Sequence, residues 1–147
     1  MLKSLYMIKI VPFEFEHAKY IAYNEMNADI VNVKERYLKN LEQLVKPKTS
    51  WTGIIDDKII AAGGMVELWD HVYEGWVMAT ADIQKHPVAT ARIIKKIFAK
   101  VMVEHEVHRL QTTVKADYEI GHKFAKWLGL EKEGLMRKYL DDNDYYL

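Results

Sequence analysis

The spacing of apolar and polar positions along this chain changes period several times, and each change marks a predicted element. Met7 to Pro12 is a short apolar run closed by proline, which reads as a strand. From Glu16 to Asn27 the apolar positions Ala18, Ile21, Ala22 and Met26 recur at helical spacing. Asp29 is placed to cap a second helix, in which Ile30, Val33, Tyr37, Leu38, Leu41 and Leu44 share one face, and Pro47 closes this helical half.

The middle of the chain switches to strand patterning. Ser50 to Ile55 and Lys58 to Glu67 flank Asp56-Asp57, a hairpin signature. Gly63-Gly64 inside the second strand predicts a bulge or a close backbone approach. Leu68 to His71 reads as a connection and Val72 to Thr80 as a further strand. Pro87 stands at a plausible first helical position, where its missing N–H costs little. The helix it starts is predicted to run to about Glu106, with Val88, Ala91, Ile94, Ile97, Phe98 and Val101 on its apolar side. Arg109 to Lys115 alternates like one strand. Ala116 to Tyr139 reads as an amphipathic helix, a glycine stop and a strand with a charged start. Asp141-Asp142-Asn143 then turns the chain into a last strand, Asp144 to Leu147.

The predicted order is β, α, α, β, β, β, α, β, α, β, β. Such mixing implies an α/β (α+β) protein on a largely antiparallel sheet. With 147 residues, half of them hydrophobic, the chain is most simply one domain, 1–147, and is too apolar to be disordered. Lys plus Arg equals Asp plus Glu at 21 each, so net charge gives no argument for a nucleic acid or an anionic membrane as partner. There is no cysteine, which excludes disulfides and thiolate catalysis and fits a cytoplasmic protein. No targeting leader or membrane span is expected at the start of the chain. His105-Glu106-Val107-His108 lacks the zinc-binding HExxH spacing, so no metal is expected.

Two stretches carry a resemblance. In Ala116–Tyr139, Gly129-Leu130 follows the helix and Glu133-Gly134 precedes a basic strand. Upstream, Gln84-Lys85-His86-Pro87-Val88-Ala89 stands before the long helix. With the element order, these resemble the Gcn5-related N-acetyltransferase (GNAT) superfamily over nearly the full chain. The resemblance implies a mixed, mainly antiparallel sheet flanked by helices, with splayed central strands that admit acetyl-CoA as co-substrate. It implies that the pyrophosphate meets the loop and helix start at Gln84, Lys85, His86, Val88, Ala89 and Thr90. It also implies that the pantetheine arm pairs with Val77, Met78 and Ala79, and that Tyr118 contacts the coenzyme.

The family pattern is departed from at instructive places. Pro87 replaces the first glycine of the Arg/Gln-x-x-Gly-x-Gly/Ala loop, removing a donor. Tyr118 falls on the family's Asn position, and Ala125 on that of its acid Tyr. The family's general base, a Glu on the fourth strand, aligns with Tyr73, while Glu74 is one residue away. Strand alternation puts Tyr73, Gly75, Val77 and Ala79 on one face and Glu74, Trp76 and Met78 on the other, unless a bulge intervenes. Candidate catalytic groups are therefore Glu74, Tyr73, His71 and Tyr118, with Glu67, Tyr139 and Tyr145 as substitutes.

Two functions follow from the resemblance. One is N-acetyl transfer from acetyl-CoA to a primary amine of a peptide or small molecule. The other is a catalytically inactive binding or structural protein, in keeping with the short acetyltransferase-like proteins of phages, some of them virion-associated. A phage source would place the protein in the host cytoplasm or the virion. The short last strand suggests pairing with a partner or a second copy at its edge.

Overall fold

A computed structural model of the chain describes residues 8–24, 49–140 and 142–147. The predicted second helix with Pro47, the end of the first helix, Met7 and Asp141 lie outside these residues.

The first strand, β1 (Ile8–Pro12), is followed by helix α1 (Phe15–Tyr23). α1 starts with a reciprocal cap: the Glu14 side chain takes a backbone N–H in the first turn, and the Glu14 N–H donates to His17 Nδ1 at 3.1 Å. Its apolar side, Ala18, Ile21 and Ala22, is fully buried.

Strands β2 (Ser50–Ile55) and β3 (Lys58–Trp69) form the predicted hairpin. Asp56 and Asp57 both take positive φ, 50° and 63°, as a two-residue turn between right-twisted strands requires. The bulge expected at Gly63-Gly64 falls elsewhere, between Gly53 and Ile54, where the register to β3 skips a residue. The two glycines instead allow close approach. A Cβ on Gly64 would lie 2.6 Å from Ser50 Cα, and one on Gly63 2.9 Å from the Trp76 carbonyl oxygen.

β4 (Val72–Ala79) pairs antiparallel with β3. The connection is tighter than the sequence suggested, because β3 continues through Glu67 to Trp69 and the chain reverses at Asp70-His71, with His71 at φ 66°. A short 3-10 turn (Ala81–Lys85) leads into helix α2 (Pro87–Glu104), which crosses over to β5 (Arg109–Gln111), parallel to β4. Proline does occupy the first helical position.

The predicted single strand Arg109–Lys115 is two strands. β5 joins the sheet β1-β2-β3-β4-β5. After Thr112-Thr113, β6 (Val114–Lys115) joins a second sheet of order β6-β8-β7. Helix α3 (Glu119–Trp127), β7 (Leu135–Leu140) and β8 (Asn143–Tyr146) complete the chain. Gly129, at φ 98°, is the helix stop seen in the sequence. β8 lies between β6 and β7, so the outer edges of this sheet belong to β6 and β7 and not to the last strand.

The core divides across the sheet. On one face Met78 of β4 and Ala62 of β3 meet Phe13, Ala18 and Ile21. On the other, Met65 and Tyr73 meet Phe98 and Val101 of α2. The architecture is that of the expected mixed α/β fold.

Candidate functional site

The geometry that matters is the parting of β4 from its neighbour. β4 and β5 pair only at Val72↔Arg109, Tyr73↔Leu110 and Glu74↔Gln111. Beyond Glu74 the chain of β5 turns into β6 and the second sheet, so the strands diverge. Thr112 sits at the fork and its Oγ1 donates to the Gly75 carbonyl at 2.8 Å.

Two hydrogen bonds show which way the β4 backbone faces. The Gly75 carbonyl points to the β5 side, and the Thr80 N–H donates to Ile60 of β3 at 3.0 Å. By strand alternation the N–H and C=O groups of Val77 and Ala79 also face the fork, while those of Trp76 and Met78 pair with β3. Val77 and Ala79 therefore offer a strand edge to the cleft. Met78 does not. Its backbone belongs to the β3 ladder and its side chain is buried against α1.

The fork opens into a cleft of about 510 Å³. One wall is β4 from Gly75 to Ala79, with Gln84 of the 3-10 turn and Pro87 and Ala91 at the start of α2. The opposite wall is β5–β6 and α3, including Tyr118, Gly121 and Ala125. Tyr145 of β8 also reaches it. Gly121 is required by this packing, because a Cβ there would stand 2.6 Å from the Tyr118 ring and 2.9 Å from Val114.

The start of α2 is a donor site with fewer donors than anticipated. The His86 N–H bonds Ile83 O, Pro87 has none, and the Thr90 N–H already donates to His86 O at 3.1 Å. That leaves Val88 and Ala89 as the N–H groups without an intrahelical acceptor. The expectation for Thr90 is corrected. Its backbone closes the helix, and its buried hydroxyl lines a separate small apolar gap between α2 and the β1–β3 strands. Lys85 is exposed and paired with Asp82 at 3.3 Å, and His86 is the N-cap residue but makes no side-chain cap.

Glu74 is the last residue of β4 that pairs with β5, so its backbone marks the apex of the fork. β4 carries no bulge; the slip in register lies in β3, between Glu67 and Trp69. Alternation therefore holds, and Glu74 faces the α1 side of the sheet. Partial burial raises its carboxyl above the usual carboxylate range, and burial is the sole cause.

The structure does not bring Tyr73 and His71 to the cleft. Tyr73 is buried against Phe98 and Val101, its hydroxyl donating to Glu67 Oε2 at 3.2 Å. Burial first, then the Glu67 bond, raises its pKa. That also accounts for Glu67. His71 occupies the β3–β4 turn, stacked on His108 with ring centroids 4.4 Å apart, and its Nδ1 meets Glu106 O at 2.8 Å. Of the substitute tyrosines, Tyr145 lines the cleft and Tyr139 does not.

Two residues were not foreseen in their roles. Thr112 holds the fork, and the Thr112-Thr113 pair is the only trace of it in an otherwise alternating run. Arg109 grips Glu133, which fixes the loop ahead of β7. Among the described residues no group of three or more His, Asp or Glu is arranged to hold a metal. Among the same residues no helix is long and apolar enough to cross a membrane.

No protein-family model matches the sequence, and no curated protein matches it either. Solved structures do. A GNAT-family acetyltransferase from Bacillus anthracis superposes with a TM-score of 0.71 at 13% identity, covering 95% of this chain and 92% of that one. Ard1 from Thermoplasma volcanium gives 0.71 at 14% identity, covering 95% and 94%. The ribosomal-protein-S5-alanine acetyltransferase from Vibrio fischeri gives 0.66 at 18% identity, covering 95% and 90%. At these identities the likeness is one of architecture, and this chain has the GNAT acetyltransferase fold.

Proposed function

We propose that this protein transfers an acyl group, acetyl in the first instance, from coenzyme A to a primary amine of a peptide or small molecule. The observation that carries the reading is the fork: a free strand edge and a helix start line one cleft, and the backbone of Glu74, whose carboxyl is raised by burial on the α1 side of the sheet, stands at its apex. The residues fit the coenzyme. Val77 and Ala79 would pair with the amides of its pantetheine arm. Val88 and Ala89, with the α2 dipole behind them, would take its pyrophosphate. Gln84 stands beside them at the cleft mouth.

In this reading the thioester lies between the β4 edge and α3, and the amine arrives from the α1 face. Glu74 removes a proton from the ammonium, directly or through a water. The amine nitrogen bonds the carbonyl carbon and the carbon–sulfur bond breaks. Backbone N–H groups on the β4 edge stabilise the oxyanion. A tyrosine hydroxyl, from Tyr118 or Tyr145, protonates the leaving thiolate and recovers a proton from the nitrogen, which sheds its second proton as it becomes the amide. Much of the rate would come from orienting the two reactants.

The test is thermal. Acetyl-CoA at about a hundred times its Kd should stabilise the fold by about 2.7 kcal/mol. Ala89→Asp, which sets a carboxylate against the phosphates, should abolish most of that shift. Val88→Pro removes one donor where proline is tolerated and should weaken it less. No shift at millimolar acetyl-CoA sinks the reading. A shift with no transfer to any amine in a panel of peptides and polyamines favours a coenzyme-binding protein without catalysis.

A further inference from the structure

Leu110 packs against the cluster that holds Phe98 and Val101 of α2. Val114, further along the same wall, lies against α3, where a Cβ on Gly121 would stand 2.9 Å from it. Lys95 of α2 donates to the Trp127 carbonyl of α3 at 3.3 Å, so the two helices cover the same side of the fork. Lys115, the next residue of β6, therefore points to the opposite side, where the Glu74 carboxyl and α1 lie. The cross-strand partners agree. Lys115 pairs with Tyr145, while Val114 pairs with Tyr146, whose ring meets His122 of α3 at 5.6 Å.

Among the described residues that line the cleft, Lys115 carries the only charged side chain. That side chain is 24% exposed, and the ion pair it makes is loose: Asp117 Oδ1 stands 3.8 Å away on a side chain that is 79% exposed. Such a pair adds little to stability. The coenzyme's pyrophosphate is not its natural partner either. Counting outward from Glu74↔Gln111, Lys115 stands level with Met78, ahead of the α2 start where Val88 and Ala89 offer their N–H groups.

We propose that Lys115 is the acceptor-binding cation of this site, so that the amine acetylated also carries a carboxylate, as an amino acid does. The inference rests on the acetyl-transfer reading above and adds to it the class of acceptor. Both charges of such a molecule are met on one side of the fork, its ammonium by Glu74 and its carboxylate by Lys115. Each charge taken out of water needs such a partner. A polyamine brings only positive charge and meets Lys115 with repulsion.

The experiment is acetyl transfer from acetyl-CoA to glycine, β-alanine and 4-aminobutyrate, each against its carboxamide, with spermidine as the polycation. The Kd for acetyl-CoA is read in parallel. For the best amino acid kcat/KM is expected to exceed that of its amide by about tenfold or more, mostly through KM. Lys115→Gln should bring that ratio to near one and leave the acetyl-CoA Kd unchanged, Lys115→Arg should keep the ratio, and Lys115→Glu should turn the preference to spermidine. Equal kcat/KM for acids and amides in the wild-type protein overturns the carboxylate-bearing acceptor and leaves acetyl transfer standing. Binding of acetyl-CoA with no transfer to any of these acceptors overturns it too. If Lys115→Gln loses acetyl-CoA affinity and keeps the ratio, the lysine serves the coenzyme and the proposal falls. It falls equally if that variant lowers kcat for acids and amides alike. Failure of acetyl-CoA to bind the wild-type protein overturns both readings.

Discussion

Arg109 holds Glu133 with both terminal nitrogens of its guanidinium, one of them 2.9 Å from Oε1, and so ties the last strand of the five-stranded sheet to the loop before β7. Two backbone bonds continue the tie: Glu133 N–H to Leu147 O at 2.8 Å, and Leu147 N–H to Gly134 O at 2.9 Å. The hydrogen bond from Arg109 holds the Glu133 carboxyl below its ordinary value. A depressed carboxylate stabilises the folded state above its unfolded pKa and loses that effect as pH falls through its folded pKa. Both side chains are exposed, so the effect should be local. Glu133→Gln is expected to leave the melting temperature nearly unchanged while lowering the hydrogen-exchange protection of Leu147. Wild-type protection there should fall as the solution is acidified below the carboxylate range.

Glu74 carries the opposite sign. Burial raises its carboxyl, so the folded state binds a proton more tightly than the unfolded one. The stability this confers is complete below the unfolded pKa and is lost as pH rises through the folded pKa. Glu74→Gln should therefore raise the melting temperature at neutral pH, with the gain vanishing in acid. If Glu74 is the base, the same variant lowers kcat by about a hundredfold or more with little change in the KM for coenzyme. Unchanged turnover would remove Glu74 from the mechanism.

At Gly121 two effects compete. Alanine is the better helix former by up to about 1 kcal/mol. Yet its Cβ would press on the Tyr118 ring at 2.6 Å and on Val114 at 2.9 Å, and such overpacking costs about 1–3 kcal/mol. Gly121→Ala is expected to lower stability by about 1 kcal/mol in urea unfolding, and to weaken coenzyme binding because Tyr118 is displaced.

The β2–β3 turn can be improved. Asp57 sits at φ 63°, a conformation that costs glycine nothing. Asp57→Gly gives the turn its preferred Asp-Gly form and should stabilise the protein by about 0.5–1 kcal/mol, read as a higher urea midpoint with an unchanged slope. Asp57→Val should act in the other direction.

The hairpin, the proline-led helix and the glycine stop after α3 were legible because each rests on local chemistry. Side-chain alternation on β4 was legible for the same reason: it needs only the strand's period of two. The fork was not. Arg109 to Lys115 alternates apart from the Thr112-Thr113 pair, and a strand that changes sheets keeps its period while it changes partners. Only Thr112, bonded across to Gly75, records the switch, and that bond is tertiary. Thr90 was misassigned by counting backbone donors without subtracting the first intrahelical bond, which His86 accepts. Likewise the last strand looked like an edge because chain order says nothing of sheet order, and here β8 lies in the middle.

The unpaired edge of β4 at Val77 and Ala79, open to the cleft, has a consequence for colloidal behaviour. Such an edge is a template for any extended polypeptide, and the strand beside it is apolar. A ligand that runs along this edge also shields it. Coenzyme would then act as a solubilising guest, and preparations stripped of it should self-associate sooner on concentration or mild heating than preparations kept with it.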